Sequence, residues 1–222
     1  MHGNARTHAI VRKRVIDWYD KNGRKFPWRS TTDPYQILIA EMLLRRTTAS
    51  AVSRVFNDFM SNFDSPKKLA QASETTIAQF LKSLGLQSVR AMHLKKTALI
   101  ILKEYDGEIP NSHANLQALP GVGSYTASAV MNFAFRESVS LVDGNVIHFI
   151  SRVYGIRFAG PTDIKAWEFM SRVGGQQDAR LYWGIIDLVA TICLKKNPRC
   201  SLCPLSGICD WFSKSGTTSK AT

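Results

Sequence analysis

Leu119–Val130, LPGVGSYTASAV, is the stretch from which the rest of the chain can be read. Pro120 presets a turn, Gly121 and Gly123 permit positive φ and close backbone approach, and Ser124 stands where it can cap the apolar helical pattern that follows. The expectation is a tight turn running straight into a helix. The first amides of such a helix have no partners within it and lie at the positive end of its dipole, which suits a phosphate. Taken alone, a G-x-G pattern fits an ordinary helix–helix turn as well, so the surrounding chain has to decide.

On both sides the sequence reads as helices separated by short turns. Apolar residues recur at three- and four-residue spacing in YQILIAEMLLRR (35–46), AVSRVFNDFMSNF (51–63), AMHLKKTALIILKEY (91–105), ASAVMNFAF (127–135) and VIHFISRVYGI (146–156). Strand-like alternation is nowhere sustained, so the fold class is all-α. Ser65-Pro66 and Ser73 start helices, and Gly85 stops one. NSHANLQALPGVG (111–123) adds a short helix before the turn, which completes a helix-hairpin-helix. The tail SKSGTTSKAT (213–222) has the composition of a mobile end.

A chain of 222 residues with 45% apolar content can bury a real core. Its 29 Lys and Arg against 17 Asp and Glu, a net charge of +12, favour a polyanionic partner such as nucleic acid. No apolar run approaches the ~20 residues that span a bilayer, and no secretory signal opens the chain. The reading is an intracellular protein, cytoplasmic or on the nucleoid, with no membrane partner.

All four cysteines fall within CLKKNPRCSLCPLSGIC: Cys193, Cys200, Cys203 and Cys209, a C-x6-C-x2-C-x5-C array. In an intracellular chain such clustering points to one metal site rather than to disulfides. Thiolates are soft ligands, so an iron–sulfur cluster and a structural zinc both fit, and spacing alone does not choose.

The array resembles the [4Fe–4S] loop of the endonuclease III family of helix-hairpin-helix DNA glycosylases. The resemblance runs from FPWR (26–29) through LPGVGSYTASAV and VDGNV (142–146) to the cysteine loop. It implies a helical barrel over residues 31–135 carrying the helix-hairpin-helix. Residues 1–30 and 136–222 would form a second helical unit with the cluster loop, and the catalytic cleft would lie between the two. It also implies an alkali-metal ion on main-chain carbonyls of the hairpin and double-stranded DNA as partner. A monomer is the default for an enzyme that wraps a duplex.

Glycosylases must rotate their target out of the stack, which needs grip and a wedge. Grip would come from the amides around Gly121, Gly123 and Ser124. Arg46 resembles the residue that fills the gap left by the flipped base, and Leu86 resembles the wedge on the opposite side. Without the family, Arg45 and Arg46 read as a solvated helix end and Leu86 as core.

Asp143 resembles the catalytic aspartate, whose carboxylate stabilises the oxocarbenium-like sugar and orients water. In isolation it reads as a helix N-cap. Tyr125 stands where members that also cut the backbone carry a lysine; a phenol cannot form the imine, so the expectation is a monofunctional enzyme. Glu41, an acid on an apolar helix face, matches a glutamate that protonates a departing purine or lines the base pocket, with a structural salt bridge as the alternative.

Two branches of the family compete. RRTTA (45–49) and Tyr125 resemble the glycosylases of G:T and G:U mismatches, which release thymine or uracil. DGNV and DPYQILIAEMLL suit adenine glycosylases equally well, but those enzymes carry two glutamines at the positions of Arg45 and Arg46, a glutamine near Trp183, and a further C-terminal domain. His148 replaces a basic residue usual after the aspartate motif, which puts one phosphate contact in doubt. The mismatch branch is the reading, with adenine removal opposite guanine or 8-oxoguanine as the alternative. A DNA-binding module without chemistry is the rival from another class.

Overall fold

The structure, a computed structural model, describes residues 3–174 and 178–217. Among the described residues there are twelve α-helices, short 3-10 turns and no strand. They are α1 (Ala5–Asn22), α2 (Pro34–Leu44), α3 (Ala49–Asn62), α4 (Pro66–Gln71), α5 (Glu74–Phe80), α6 (Gln87–Glu104), α7 (His113–Ala118), α8 (Ser124–Phe133), α9 (Gly144–Tyr154), α10 (Ile164–Gly174), α11 (Ala179–Thr191) and α12 (Asp210–Thr217). No described helix is long and apolar enough to cross a membrane. The chain divides into two compact units, one continuous over residues 25–137 and one made of residues 1–24 with 138–222.

In the continuous unit α2 is the central helix. Asp33 caps it by accepting from the amides of Tyr35 (2.8 Å) and Gln36 (3.4 Å), and Pro34 supplies a first residue that needs no donor. Tyr35 and every residue from Ile37 to Leu43 are buried, so α2 is enclosed on all sides rather than along one stripe. α3, α6 and α8 pack on it, α4 and α5 cover α6, and α7 lies on α8. Phe63 locks the end of α3, its ring 4.8 Å from Phe59 and 5.1 Å from Phe80. The unit begins at residue 25 rather than 31 because the 3-10 turn Pro27–Arg29 belongs to it: Trp28 is buried edge-on against Phe56, centroids 5.3 Å apart.

In the discontinuous unit α1 packs on α10 and α11, and α9 on α11 and α12. Gly184 lets α1 come close, since a Cβ there would stand 2.7 Å from Val15 Cγ1. Asp187 is fully buried and ionically held by Arg24: its carboxylate accepts from Arg24 Nη2 (2.7 Å), Nε (2.8 Å) and the Arg24 backbone amide (2.7 Å). The segment expected as a mobile tail is helical in its first half. Residues 213–217 belong to α12, which packs on α9, and 218–222 lie outside the described residues.

Candidate functional site

The helix-hairpin-helix forms from α7 and α8, within the continuous unit. Gly121 has φ +81°, and a Cβ there would meet the His93 ring of α6 at 3.0 Å, so the turn needs glycine twice over. The other two expectations are corrected. Gly123 is extended (φ −95°) and is itself the N-cap, while Ser124 is already the first helical residue and makes no capping bond. The start of α8 therefore has no side-chain cap. Two hairpin carbonyls are taken: Pro120 accepts from Thr97 Oγ1 (3.0 Å) and Gly121 from Arg45 Nη1 (2.6 Å).

Arg46 and Leu86 stand out on backbone geometry. Both are non-glycine residues at positive φ, +54° and +52°, a conformation that costs an L residue roughly 1–2 kcal/mol. Arg46 is exposed just past the C-terminus of α2, and Leu86 occupies the N-cap position of α6 with no side-chain cap. Leu86 is also 55% exposed, which removes the reading as a core residue. The two side chains line one cavity of about 240 Å³, shared with Met42, Arg45, Arg90 and His93.

Arg90 was missed in the sequence. It is buried in α6 and carries a guanidinium whose pKa is pressed down by burial and by the Arg45 charge. Its only sequence signal is a basic residue four positions after Leu86 in LGLQSVRA. Glu41 is buried in α2, and Tyr125, the second residue of α8, is half-buried.

Asp143 lies in the other unit, at the head of α9. Both of its carboxylate oxygens are engaged. Oδ1 accepts from the amides of Asn145 (2.9 Å) and Val146 (2.8 Å), an N-cap, and Oδ2 accepts from Asn145 Nδ2 (2.8 Å). Burial pushes its pKa above the ordinary carboxylate value, and these donors pull the other way without cancelling that push.

The four cysteines share one cavity with Arg152 and Trp211. Burial and repulsion among the thiols raise Cys200, Cys203 and Cys209, with Cys203 pushed up to about 11. Among the described residues no three His, Cys, Asp or Glu are gathered closely enough for a single metal ion. Arg152 ties the loop to α9: Nη1 donates to the Leu194 carbonyl (2.8 Å) and Nη2 to Lys195 (3.1 Å), and the guanidinium lies 4.4 Å from the Trp211 ring. His148 Nε2 is 2.8 Å from the Cys193 carbonyl, so this side chain serves the cysteine loop. Trp183 is half-buried, its ring 6.0 Å from that of Tyr19.

A hairpin start without a side-chain cap, two strained turns and a half-buried capping aspartate agree with the similarity to known proteins. The family model for HhH-GPD superfamily base excision DNA repair proteins matches residues 39–172. The chain belongs to this superfamily. Among HhH-GPD relatives it is 39% identical to a thymine-DNA glycosylase of Aeropyrum pernix, covering 91% of this chain and 94% of that one. It is 37% identical to a thymine/uracil-DNA glycosylase of Pyrobaculum aerophilum, covering 93% and 94%. An adenine DNA glycosylase of Mycobacterium tuberculosis is 33% identical over 89% of this chain and 66% of its own length. Of solved structures, that of a thermostable thymine-DNA glycosylase superposes with a TM-score of 0.86 at 32% identity, covering 93% and 97%. A non-covalent endonuclease III–DNA complex shares the fold, with a TM-score of 0.80 at 20% identity over 97% and 99%.

Proposed function

We propose that this HhH-GPD protein is a monofunctional DNA glycosylase that flips thymine or uracil from G:T and G:U mismatches and leaves an abasic site. The observation that carries this reading is the 35–39% identity, over about nine-tenths of both chains, to enzymes named for thymine or thymine and uracil. Adenine enzymes are more distant, and this chain spans only 58–66% of those.

The residues supply the steps. The net charge of +12 draws in the duplex, and the amides at the head of α8 take a backbone phosphate. Leu86 enters the stack from its exposed turn. Arg46 fills the space left by the flipped base and donates hydrogen bonds to the orphaned guanine. A mispaired base leaves the stack at lower cost than a paired one, which favours mismatches.

The Asp143 carboxylate stabilises positive charge on the sugar as the glycosidic bond breaks, and it orients the water that completes hydrolysis. Its capping amides fix the oxygen atoms in place. Tyr125 has no amine with which to attack C1′, so the backbone stays intact. Glu41 lines the base pocket.

The four thiols line one cavity and have the donor chemistry of a [4Fe–4S] cluster or of a zinc ion, and the resemblance selects the cluster. When bound, such a cluster would cross-link the loop from Cys193 to Cys209, with no open coordination position for chemistry. The alkali-metal ion rests on the resemblance alone. Arg45 already places a positive charge at the Gly121 carbonyl, and no step is assigned to an ion there.

The test is a panel of labelled G:T, G:U, A:G and A:8-oxoguanine duplexes, each followed by alkali. Alkali-dependent breaks at thymine and uracil are expected. Breaks at adenine alone would move the protein to the other branch, and no breaks in any duplex would reduce it to a binding module.

A further inference from the structure

The two strained turns that present Arg46 and Leu86 come from different parts of the chain and are weakly held by their own residues. The Arg46 turn closes on one long backbone bond, from the Thr47 amide to the Leu44 carbonyl (3.4 Å), Leu86 has no side-chain cap, and neither residue is the glycine that would relax its φ. Arg90 reaches both. Its Nη1 donates to the carbonyls of Leu43 (3.0 Å) and Met42 (3.3 Å), its Nη2 to Arg45 (2.6 Å), and its Nε to Gly85 (2.9 Å).

The first three acceptors are at the C-terminus of α2, where carbonyls lack intrahelical donors and the dipole is negative. The fourth directly precedes Leu86. A planar guanidinium can serve both sites at once because its donors diverge in a fixed fork. Arg45, whose carbonyl Arg90 holds, in turn donates to Gly121 (2.6 Å), so the same network reaches the hairpin.

We infer that Arg90 is a positioning residue that fastens the Arg46 turn, the Leu86 turn and, through Arg45, the hairpin into one platform, so that wedge and gap-filler enter the duplex together. The inference rests on the proposed glycosylase reading, because it gives those two side chains their task. Arg90 itself is buried and touches no DNA in this scheme. Its loss would leave two turns able to relax separately out of positive φ. Binding would survive on charge and hairpin contacts, but the stacked base would no longer be displaced in one motion.

The experiment compares wild type with Arg90→Lys and Arg90→Met. Lysine keeps the charge and the buried stem but cannot span four carbonyls on two turns. Each protein is given two duplexes, one with uracil opposite guanine and one with uracil opposite a tetrahydrofuran abasic analogue. In the second, no partner base holds the target. Single-turnover rates, thermal midpoints and the fluorescence of a 2-aminopurine beside the mismatch are read.

For both variants the G:U rate should fall roughly 100-fold, the scale of a misplaced working group, with the fluorescence rise largely gone. On the unpaired uracil the loss should stay under about tenfold. Equal losses on both duplexes, with or without a lowered thermal midpoint, would overturn the inference by making Arg90 a support of the fold alone. So would an unchanged G:U rate. A wild type that unstacks the 2-aminopurine but removes no base would instead sink the glycosylase reading, and the fluorescence comparison would still judge the clamp.

Discussion

Asp143 and Leu86 occupy the same structural position, the residue immediately before a helix, and they fill it in opposite ways. Asp143 is extended at φ −125° and its carboxylate satisfies two helix amides. Leu86 is left-handed at φ +52°, satisfies none, and shows more than half of its surface. The first is the arrangement that stability favours; the second goes against it. In the proposed reaction, the group that holds a charge at one fixed point sits on relaxed backbone with both carboxylate oxygens hydrogen-bonded, and the group that enters the duplex sits on strained backbone beside a buried arginine.

The largest expected effect tests the relaxed end. Asn caps a helix as well as Asp does, so Asp143→Asn should keep the fold and lose roughly 10²–10³-fold in single-turnover rate. A variant with full activity would remove the catalytic assignment. Its stability has a definite sign. Burial raises the folded pKa, so ionisation costs more in the folded chain than in the unfolded one. That cost is absent below the unfolded pKa, grows as pH rises from the unfolded to the folded value and is complete above it, so Asp143→Asn should melt higher than wild type at pH 7. At acid pH the two should converge, a comparison thermal melts can make.

The same shift fixes the pH profile of wild type. The working form is the carboxylate, so the rate should fall on acidification at a pH above the ordinary carboxylate range. A limb at the ordinary value would mean that Asp143 is solvated during the reaction.

A third expectation concerns the cysteine loop. Purified anaerobically, the protein should carry four irons with visible absorption, and Cys203→Ala should lose both together with thermal stability. One bound zinc per chain and no absorption would overturn the cluster.

The smallest effect sharpens the strained end. Asparagine tolerates the left-handed region, and an exposed leucine loses little burial when replaced. Leu86→Asn should therefore gain up to about 1 kcal/mol in denaturant unfolding while removing bases more slowly. A loss on both counts would mean that Leu86 packs rather than probes.

The difference between these turns also explains what could be read from the sequence. Helices announce themselves by apolar spacing, and the four cysteines and the Pro-Gly-x-Gly turn by residue types with few other uses. Asp143 carried two readings in one letter: the structure shows the cap, and the catalytic role belongs to the proposal. Leucine and arginine have no signature for positive φ, so the strain at Arg46 and Leu86 was invisible, although Gly85 hinted at it. Ser124 misled because a serine after glycine reads as a cap, whereas Gly123 already held that position. Arg90 was illegible for a related reason. Its acceptors are backbone carbonyls, which every residue has, and most of them lie more than forty residues away.

The Arg24–Asp187 pair has a consequence for how the chain is made. Its partners are separated by 163 residues, and the continuous unit lies entirely between them. On a ribosome adding about 5–20 residues per second, α1 waits roughly 10–30 s for the helix it must pack against. The unit with the hairpin and the two strained turns can finish folding in that interval, leaving a helix with buried-face valines, Val11 and Val15, exposed until the last quarter of the chain emerges. Synthesis order thus leaves α1 without its packing partners for most of the time the chain is being made.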